Sequence, residues 1–200
     1  MAKGGAFELE LAKKLSLWFT EGKRDDLVCR TDTSGGRATV RVKNKKETNK
    51  YLHGDLKHSD DECRPLFDIW SIEAKTGYAS KHKLKDGTKK VTNWDLLDLL
   101  DSKAKEPLFV QFWNQCILSA ELTSREPILI FRRNQKEPCV AISNSYFFRL
   151  KDLFGPFDKG EIYIKIGGMS SPIEEITVIR FNDFLEWIDA KSLIAFNRKE

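Results

Sequence analysis

The sequence predicts an α/β domain with a mixed central β-sheet flanked by helices. Segments with apolar residues at helical spacing alternate along the chain with short runs rich in β-branched residues. The connections between these runs include both short turns and long crossovers, which is typical of a sheet with parallel and antiparallel pairs. A length of 200 residues and an apolar content of 40% suit one domain, which we expect to cover residues 1–200.

The first half of the chain is predicted to contain one helix, two strands and two basic segments. Residues 5–20 carry an apolar stripe at helical spacing, and residues 26–31 form a short strand candidate. Residues 37–62 are polar and charged and are interpreted as a basic insertion, and residues 76–93 as a second basic loop or ribbon. Between them, the apolar run FDIWSIEAK at residues 67–75 predicts a buried strand.

The second half alternates helices and strands more regularly. Helices are predicted over 93–103, from Pro107 to about residue 122, over 144–154, and over 182–191 with Asn182 as its cap. Strands are predicted over 127–133, 138–142, 161–166 and 175–181.

The positive charge is concentrated in two places. Net charge is +4, yet residues 37–53 and residues 75–90 each hold six Lys/Arg and one acid, so the remaining residues sum to −6. Such segments are either solvated loops or a phosphate-binding surface. They bracket the predicted strand at 67–75 in sequence, which favours a functional role near that strand.

Several classes of protein are excluded by what the sequence lacks. No run of about 18 apolar residues is present, and the N-terminus has no uninterrupted apolar region typical of a signal peptide. The four cysteines are scattered without a CxxC pair, which favours reduced thiols. We therefore expect a cytoplasmic protein without a membrane partner. P-loop, dinucleotide-binding and GxSxG motifs are absent.

Glu73 and Lys75 raise the central question about function. Residues two apart on a strand point to the same face, so this carboxylate and this ammonium should lie side by side at the end of a core element. The pair is either an ordinary surface ion pair or part of an active site. Asp55, after Gly54, and Glu8, on the first helix, offer two further carboxylates.

Carboxylates with one lysine suit metal-dependent hydrolysis of phosphodiesters. Mg²⁺ prefers oxygen ligands and is usually held by one or two carboxylates, with waters and phosphate oxygens completing its shell. The ion lowers the pKa of a bound water and offsets negative charge at phosphorus. A neighbouring lysine can orient that water or stabilise the transition state. Mn²⁺ is expected to substitute for Mg²⁺.

The residues GD (54–55) and IEAK (72–75) resemble the D…E-x-K core of the PD-(D/E)XK nuclease superfamily. The pattern KGGAFE (3–8), the loop RTDTSGG (30–36) and the segments FWNQC (112–116) and ILIFRRN (128–134) are similar to archaeal-type Holliday junction resolvases and related phage-encoded endonucleases. This resemblance implies a restriction-endonuclease-like fold. The loop between SGG and GD is much longer than in the archaeal resolvases.

The resemblance also implies roles for individual residues. Asp55 and Glu73 would bind the metal, Glu8 would be a further carboxylate of the site, and Lys75 would be the catalytic lysine. Gln115 would support these residues from the following helix, with Gln111 as the alternative one turn away. Expected DNA contacts come from the loop and the basic segments: Arg30, Ser34, Arg37, Arg41, Lys43, Lys45, Lys46, Lys81 and Lys83.

The sequence therefore predicts a Mg²⁺-dependent DNA endonuclease, with branched DNA such as a Holliday junction as its expected substrate. Resolving a four-way junction requires two nicks, and one chain carries one D…E-x-K set, so a homodimer is expected. Two alternatives stay open. One is a restriction-type or genome-processing nuclease that acts on other DNA, and the other is a non-catalytic DNA-binding or assembly protein that retains the fold.

Overall fold

A computed structural model describes residues 3–31, 50–76, 81–83, 89–91, 107–133, 136–168 and 171–197. Its α-helices are α1 (Lys3–Phe19), α2 (Arg64–Ile69), α3 (Leu108–Glu121), α4 (Asn144–Phe154), α5 (Phe181–Trp187) and α6 (Ala190–Asn197). Two short 3₁₀ helices, Lys50–Leu52 and Asp61–Cys63, lie before and after the second strand. The described residues include no helix with both the length and the apolar character needed to cross a membrane.

The strands form one large sheet and two small ones. They are β1 (Val28–Arg30), β2 (Leu56–His58), β3 (Trp70–Thr76), β4 (Lys81–Lys83), β5 (Lys89–Val91), β6 (Glu126–Arg132), β7 (Cys139–Ser143), β8 (Glu161–Gly168) and β9 (Ser171–Arg180). The five-stranded sheet has the order β3-β6-β7-β9-β8, and the antiparallel pairs β1-β2 and β4-β5 stand apart from it. Only the β3-β6 pair of the large sheet is parallel, so the sheet is mixed as predicted.

The five-stranded sheet lies between two layers of helices, and the alternation of side chains decides which residues face each layer. Ile72, Ala74, Ile128 and Ile130 belong to one apolar cluster, which also includes residues of α1, α2, α4, α5 and α6. Leu129 belongs to a second cluster, built on α3 and on strands β7, β8 and β9. Glu73 lies opposite Leu129 in the parallel register, and so it faces α3.

The structure corrects the predicted start of the central strand. Residues 67–69 belong to α2, and β3 begins at Trp70 rather than at Phe67. Pro65 explains the helix, because proline is favoured in the first turn, where its missing N–H costs nothing. Ser71, Glu73 and Lys75 remain on one strand face.

Two predicted helix ends also differ from the structure. The closing helix predicted over 182–191 is divided into α5 and α6, and Asn182 lies inside α5, where its side-chain oxygen accepts a hydrogen bond from Lys14. Arg180 occupies the cap position, and the next amide, of Phe181, donates to the Pro138 carbonyl. Pro107 caps α3 instead of opening it. The helix predicted over 93–103 lies outside the described residues.

Candidate active site

Gly54 and Asp55 are held against β3 by their backbone. The Asp55 amide donates to the Ile72 carbonyl at 2.8 Å, and the Asp55 carboxylate accepts from the Ala74 amide at 2.9 Å. These contacts lie on either side of Glu73. Gly54 has φ +96°, and a Cβ there would lie 2.8 Å from the Ile72 oxygen, so only glycine allows this approach. The turn therefore fixes Asp55 beside the strand.

A third element holds the same turn from the other side. The Thr31 amide donates to the Asp55 carbonyl at 3.0 Å, and the Thr31 hydroxyl donates to the Gly54 carbonyl at 2.9 Å. Thr31 directly follows β1 and precedes residues 32–49, which lie outside the described part of the chain. Asp55 thus lies between Thr31, which follows β1, and β3, with backbone hydrogen bonds to both.

Lys75 joins the two carboxylates. Its Nζ lies 2.9 Å from Glu73 Oε2 and 3.7 Å from Asp55 Oδ2, so these two oxygens are no more than about 6.6 Å (3.7 plus 2.9 Å) apart. The three side chains are only 0–12% exposed. Two carboxylates sharing one ammonium leave one negative charge uncompensated when all three are ionised. A buried site of this kind favours the binding of a further cation.

Helix α3 supplies polar contacts to the same carboxylate. Ser119 Oγ donates to Glu73 Oε1 at 3.2 Å, and Gln115 Nε2 donates to Glu73 Oε2 at 3.3 Å. These residues are four apart, which places them on one face of the helix. Gln115 is exposed at the rim, whereas Ser119 is buried. Both oxygens of Glu73 are therefore held in place from outside β3.

Burial and charge shift the titration of Glu73. The pKa of this carboxyl is raised to about 7, mainly by loss of solvent and also by the charge of the Asp55 carboxylate and a hydrogen bond with it, while Lys75 opposes the shift. The same surroundings raise the pKa of the buried Cys116 thiol well above its usual value. Cys116 is thus a neutral thiol at pH 7.

Glu8, predicted as a further carboxylate of the site, is paired elsewhere. It forms an ion pair with Arg30 of β1, which lies opposite Leu56 in the β1-β2 register. A Cβ at Gly5 would lie 3.0 Å from Arg30 Nη1, so Gly5 leaves room for the guanidinium against α1. Arg30 is about half exposed. The described residues contain no group of three His, Cys, Asp or Glu side chains suited to a metal ion.

The remaining predicted residues lie partly within and partly outside the described part of the chain. Gln111, the alternative to Gln115, is exposed on α3, and Gln115 donates to Glu73. Lys81 and Lys83 belong to β4, for which the backbone alone is described. The predicted DNA contacts of the first basic segment lie outside the described residues: Ser34, Arg37, Arg41, Lys43, Lys45 and Lys46.

Ser119 and Phe112 contact the predicted site residues although neither was predicted to belong to the site. Ser119 follows Gln115 by one helical turn, and that spacing is the signal that could have found it. Lys75 Nζ lies 5.9 Å from the centre of the Phe112 ring, at the outer limit of a cation–π contact. The α3 face toward Glu73 is thus polar at Ser119 and aromatic at Phe112.

One comparison with known proteins gives a match over nearly the whole chain. A sequence-family model described as "Phage putative PDDEXK endonuclease" matches residues 1–195. No curated protein and no solved structure matches the chain significantly. The matched range includes Asp55, Glu73 and Lys75, together with every helix that contacts them.

Proposed function

Because the chain belongs to the phage PDDEXK endonuclease family, we propose that it cleaves DNA with Asp55, Glu73 and Lys75 as its metal-binding and catalytic residues. One observation carries this assignment. Two buried carboxylates, brought together from β3 and from the turn before β2, share a single lysine. The proposed reaction is hydrolysis of a phosphodiester bond.

The donor set fits Mg²⁺, with Mn²⁺ as a substitute. Asp55 and Glu73 provide hard oxygen ligands, and their uncompensated negative charge favours a divalent cation. When bound, the ion would supply Lewis-acid activation of water and charge neutralisation at phosphorus. Glu8 is proposed as a third carboxylate, available when Arg30 leaves it for a DNA phosphate.

Lys75 is proposed to act on the reacting groups. Its ammonium is fixed by Glu73 and Asp55, so little reorganisation is needed to hold a water or to stabilise charge at the phosphate. Ser119 and Gln115 hold the Glu73 carboxylate, which in turn keeps the ammonium in place. In this arrangement the chain orients the reacting groups and places the Lys75 ammonium, a compact positive charge, beside them.

DNA contacts are proposed for Arg30 and for the two basic segments. Arg30 is partly exposed and adjoins Thr31, whose amide contacts Asp55. The first segment includes Arg37, Arg41, Lys43, Lys45 and Lys46, and Ser34 precedes it; the second includes Lys81 and Lys83. Replacing Lys43, Lys45 and Lys46 together should flatten the slope of log K against log salt by about 2–3, near 0.9 per phosphate contact. An unchanged slope would leave these lysines as solvated residues.

A plasmid-nicking assay tests the enzymatic proposal. The wild-type chain should nick supercoiled plasmid with Mg²⁺ or Mn²⁺ and not with excess EDTA, and Glu73→Gln should abolish nicking while DNA binding persists. Glu126→Gln is the matched control, because Glu126 pairs with Arg149 at the start of β6, at the opposite end of the parallel register from Lys75. Retention of DNA binding by a wild-type chain that never nicks would favour the non-catalytic alternative.

Branched DNA and a homodimer form the finer part of the proposal. A two-fold junction requires two nicks on symmetry-related strands, and two copies of this chain would supply two sites. Cleavage of a synthetic four-way junction should exceed cleavage of a linear duplex of the same sequence, and sedimentation should give twice the mass of the chain. A monomer that cuts both DNAs equally would leave a general endonuclease.

A further inference from the structure

Arg125, between α3 and β6, is a buried cation surrounded by neutral acceptors. Its side chain is almost fully buried. Nε donates to Thr123 Oγ1 at 2.8 Å. The two terminal nitrogens donate to the carbonyls of Lys50, His53, Phe67 and Trp70 at 2.8–3.2 Å, and Nη2 contacts Ser71 Oγ at 3.4 Å. No carboxylate is among these described hydrogen-bond partners.

These acceptors belong to the two segments that carry the site. The His53 carbonyl directly precedes Gly54 and Asp55, and the Lys50 carbonyl lies four residues before Gly54. The Phe67 and Trp70 carbonyls come from the end of α2 and the first residue of β3, which continues to Glu73. A guanidinium is planar and rigid, so its donors fix the relative position of the groups they reach.

The backbone before Arg125 ends α3 in a left-handed turn. Ser124 has φ +52°, a left-handed conformation that is unfavourable for a residue with a side chain. The Arg125 amide donates to the Ala120 carbonyl, which closes this turn at the end of α3. Burial lowers the pKa of Arg125 to about 10, while Tyr51 and Asp68 oppose the shift, so the group stays charged near neutral pH.

We infer that Arg125 is a positioning residue for cleavage, setting the position of the Asp55 turn relative to the Glu73–Lys75 strand. This inference rests on the proposed function, and Arg125 itself touches neither carboxylate in its described hydrogen bonds. Its effect is transmitted through the backbone, from the Lys50 and His53 carbonyls to Asp55 and from the Trp70 carbonyl to Glu73. A lysine here has three donors on a flexible stem and cannot reach the same set.

The test compares Arg125→Lys with Arg24→Lys in the full chain. Arg24 is also a multivalent arginine, but it joins Asp26, Asp60 and Glu62 on the surface and has no described contact with the site. Each variant is measured at the same interval below its own melting temperature. We expect Arg125→Lys to lower the single-turnover cleavage rate about 10- to 100-fold with DNA affinity unchanged, and Arg24→Lys to leave the cleavage rate unchanged.

A second readout needs neither metal nor DNA. The Ala74 amide donates to the Asp55 carboxylate, so its hydrogen exchange reports whether the turn remains docked on β3. Arg125→Lys should accelerate exchange at Ala74 and leave the amides paired between β7 and β9 unchanged. Arg24→Lys should accelerate neither.

The outcomes separate this inference from the proposed function. A wild-type chain that does not cleave contradicts the proposed function, while the exchange result still decides whether Arg125 docks the turn. An Arg125→Lys variant with wild-type cleavage and Ala74 exchange overturns the inference. If that variant does not fold, Thr123→Val replaces it. This change removes the Nε acceptor and the hydrogen bonds from the Thr123 hydroxyl to the Ser119 and Ala120 carbonyls, and it leaves the four carbonyl acceptors of Arg125 in place. Wild-type Ala74 exchange in a folded Thr123→Val chain would overturn the inference, and faster Ala74 exchange with unchanged exchange at the amides paired between β7 and β9 would support it.

Discussion

The two ends of strand β3 both hold buried charge, but they neutralise it differently. At the start of the strand, Arg125 directs its donors at carbonyl and hydroxyl oxygens and is fully used by the fold. At the other end, Asp55 and Glu73 share Lys75, so among these three groups one negative charge is left over when all are ionised. A charged group whose hydrogen-bonding capacity is fully used stabilises one conformation, whereas a cluster with charge left over can bind a ligand. The difference places a rigid structural contact and the proposed catalytic residues at opposite ends of one strand.

The largest expected effect concerns the end of β3 where Lys75 joins Asp55 and Glu73, which we call the chemical end. Lys75→Ala removes the ammonium held between the two carboxylates and should lower the cleavage rate at saturating Mg²⁺ by about 10²- to 10³-fold. DNA affinity should change little, because binding depends mainly on phosphate contacts elsewhere. Single-turnover cleavage and a filter-binding titration measure the two quantities. Lys151→Ala, which removes a lysine paired with Glu161, is the control. Cleavage by Lys75→Ala at the wild-type rate would refute the assignment.

Gly54 tests how far the chemical end depends on backbone geometry. Gly54→Ala adds a methyl group 2.8 Å from the Ile72 oxygen in a left-handed conformation, and we expect a loss of about 3 kcal/mol in the free energy of unfolding. Gly155 also has a positive φ, +84°, but a Cβ there meets nothing within 4 Å. Gly155 has ψ −177°, a backbone region that glycine alone occupies readily, so Gly155→Ala should cost about 1–2 kcal/mol from backbone strain alone and less than Gly54→Ala. Urea unfolding measures both, and equal losses would show that the contact with β3 is unimportant.

Ser119 tests whether the polar contacts of α3 matter to the chemistry or only to the fold. Ser119→Ala leaves Glu73 Oε1 without this donor and should reduce the cleavage rate about 10-fold. Ser16→Ala is the matched control, since Ser16 is another buried serine whose hydroxyl accepts from the Val28 amide. It should lower the free energy of unfolding by about 1 kcal/mol without changing cleavage. An unchanged cleavage rate in Ser119→Ala would show that α3 contributes to packing and not to cleavage.

The smallest expected effect belongs to the structural end of β3. Ser71→Ala removes one of the six acceptors of Arg125, the longest at 3.4 Å, while the four carbonyls remain. We expect a change of about 0.5 kcal/mol or less in the free energy of unfolding, measured with urea. A loss as large as that of Gly54→Ala would mean that the Arg125 network is not saturated, and the contrast between the two ends of the strand would fail.

Much of the fold could be predicted because local patterns determined it. The helix at 144–154 agrees with α4 residue for residue, since its apolar spacing and the preceding Ser143 cap point the same way. The run at 67–75 was harder to divide, because a short apolar run suits a buried helix turn or a strand equally. The closing helix is interrupted at Ile188, which has extended backbone geometry that apolar spacing does not reveal.

The candidate site was predictable where its residues are close in sequence or follow a special turn. Glu73 and Lys75 lie two apart on a strand, and Asp55 follows the glycine of a tight turn. In the structure, Asp60 pairs with Arg24 and Asp68 with Lys50. Arg125 carried no such signal. Its acceptors are scattered from residue 50 to residue 123, so only the folded chain brings them together.

The parallel pairing of β3 with β6 has a consequence for how the chain acquires activity. Parallel neighbours need a crossover, and here it spans residues 77–125 and includes α3. Closing so long a loop costs entropy before any strand contact is gained, so this pairing is expected late in folding. Ser119 and Gln115 reach Glu73 only after that step. A folding intermediate that lacks the crossover therefore carries the carboxylates without their supporting donors, and the nuclease should remain inactive until folding is complete.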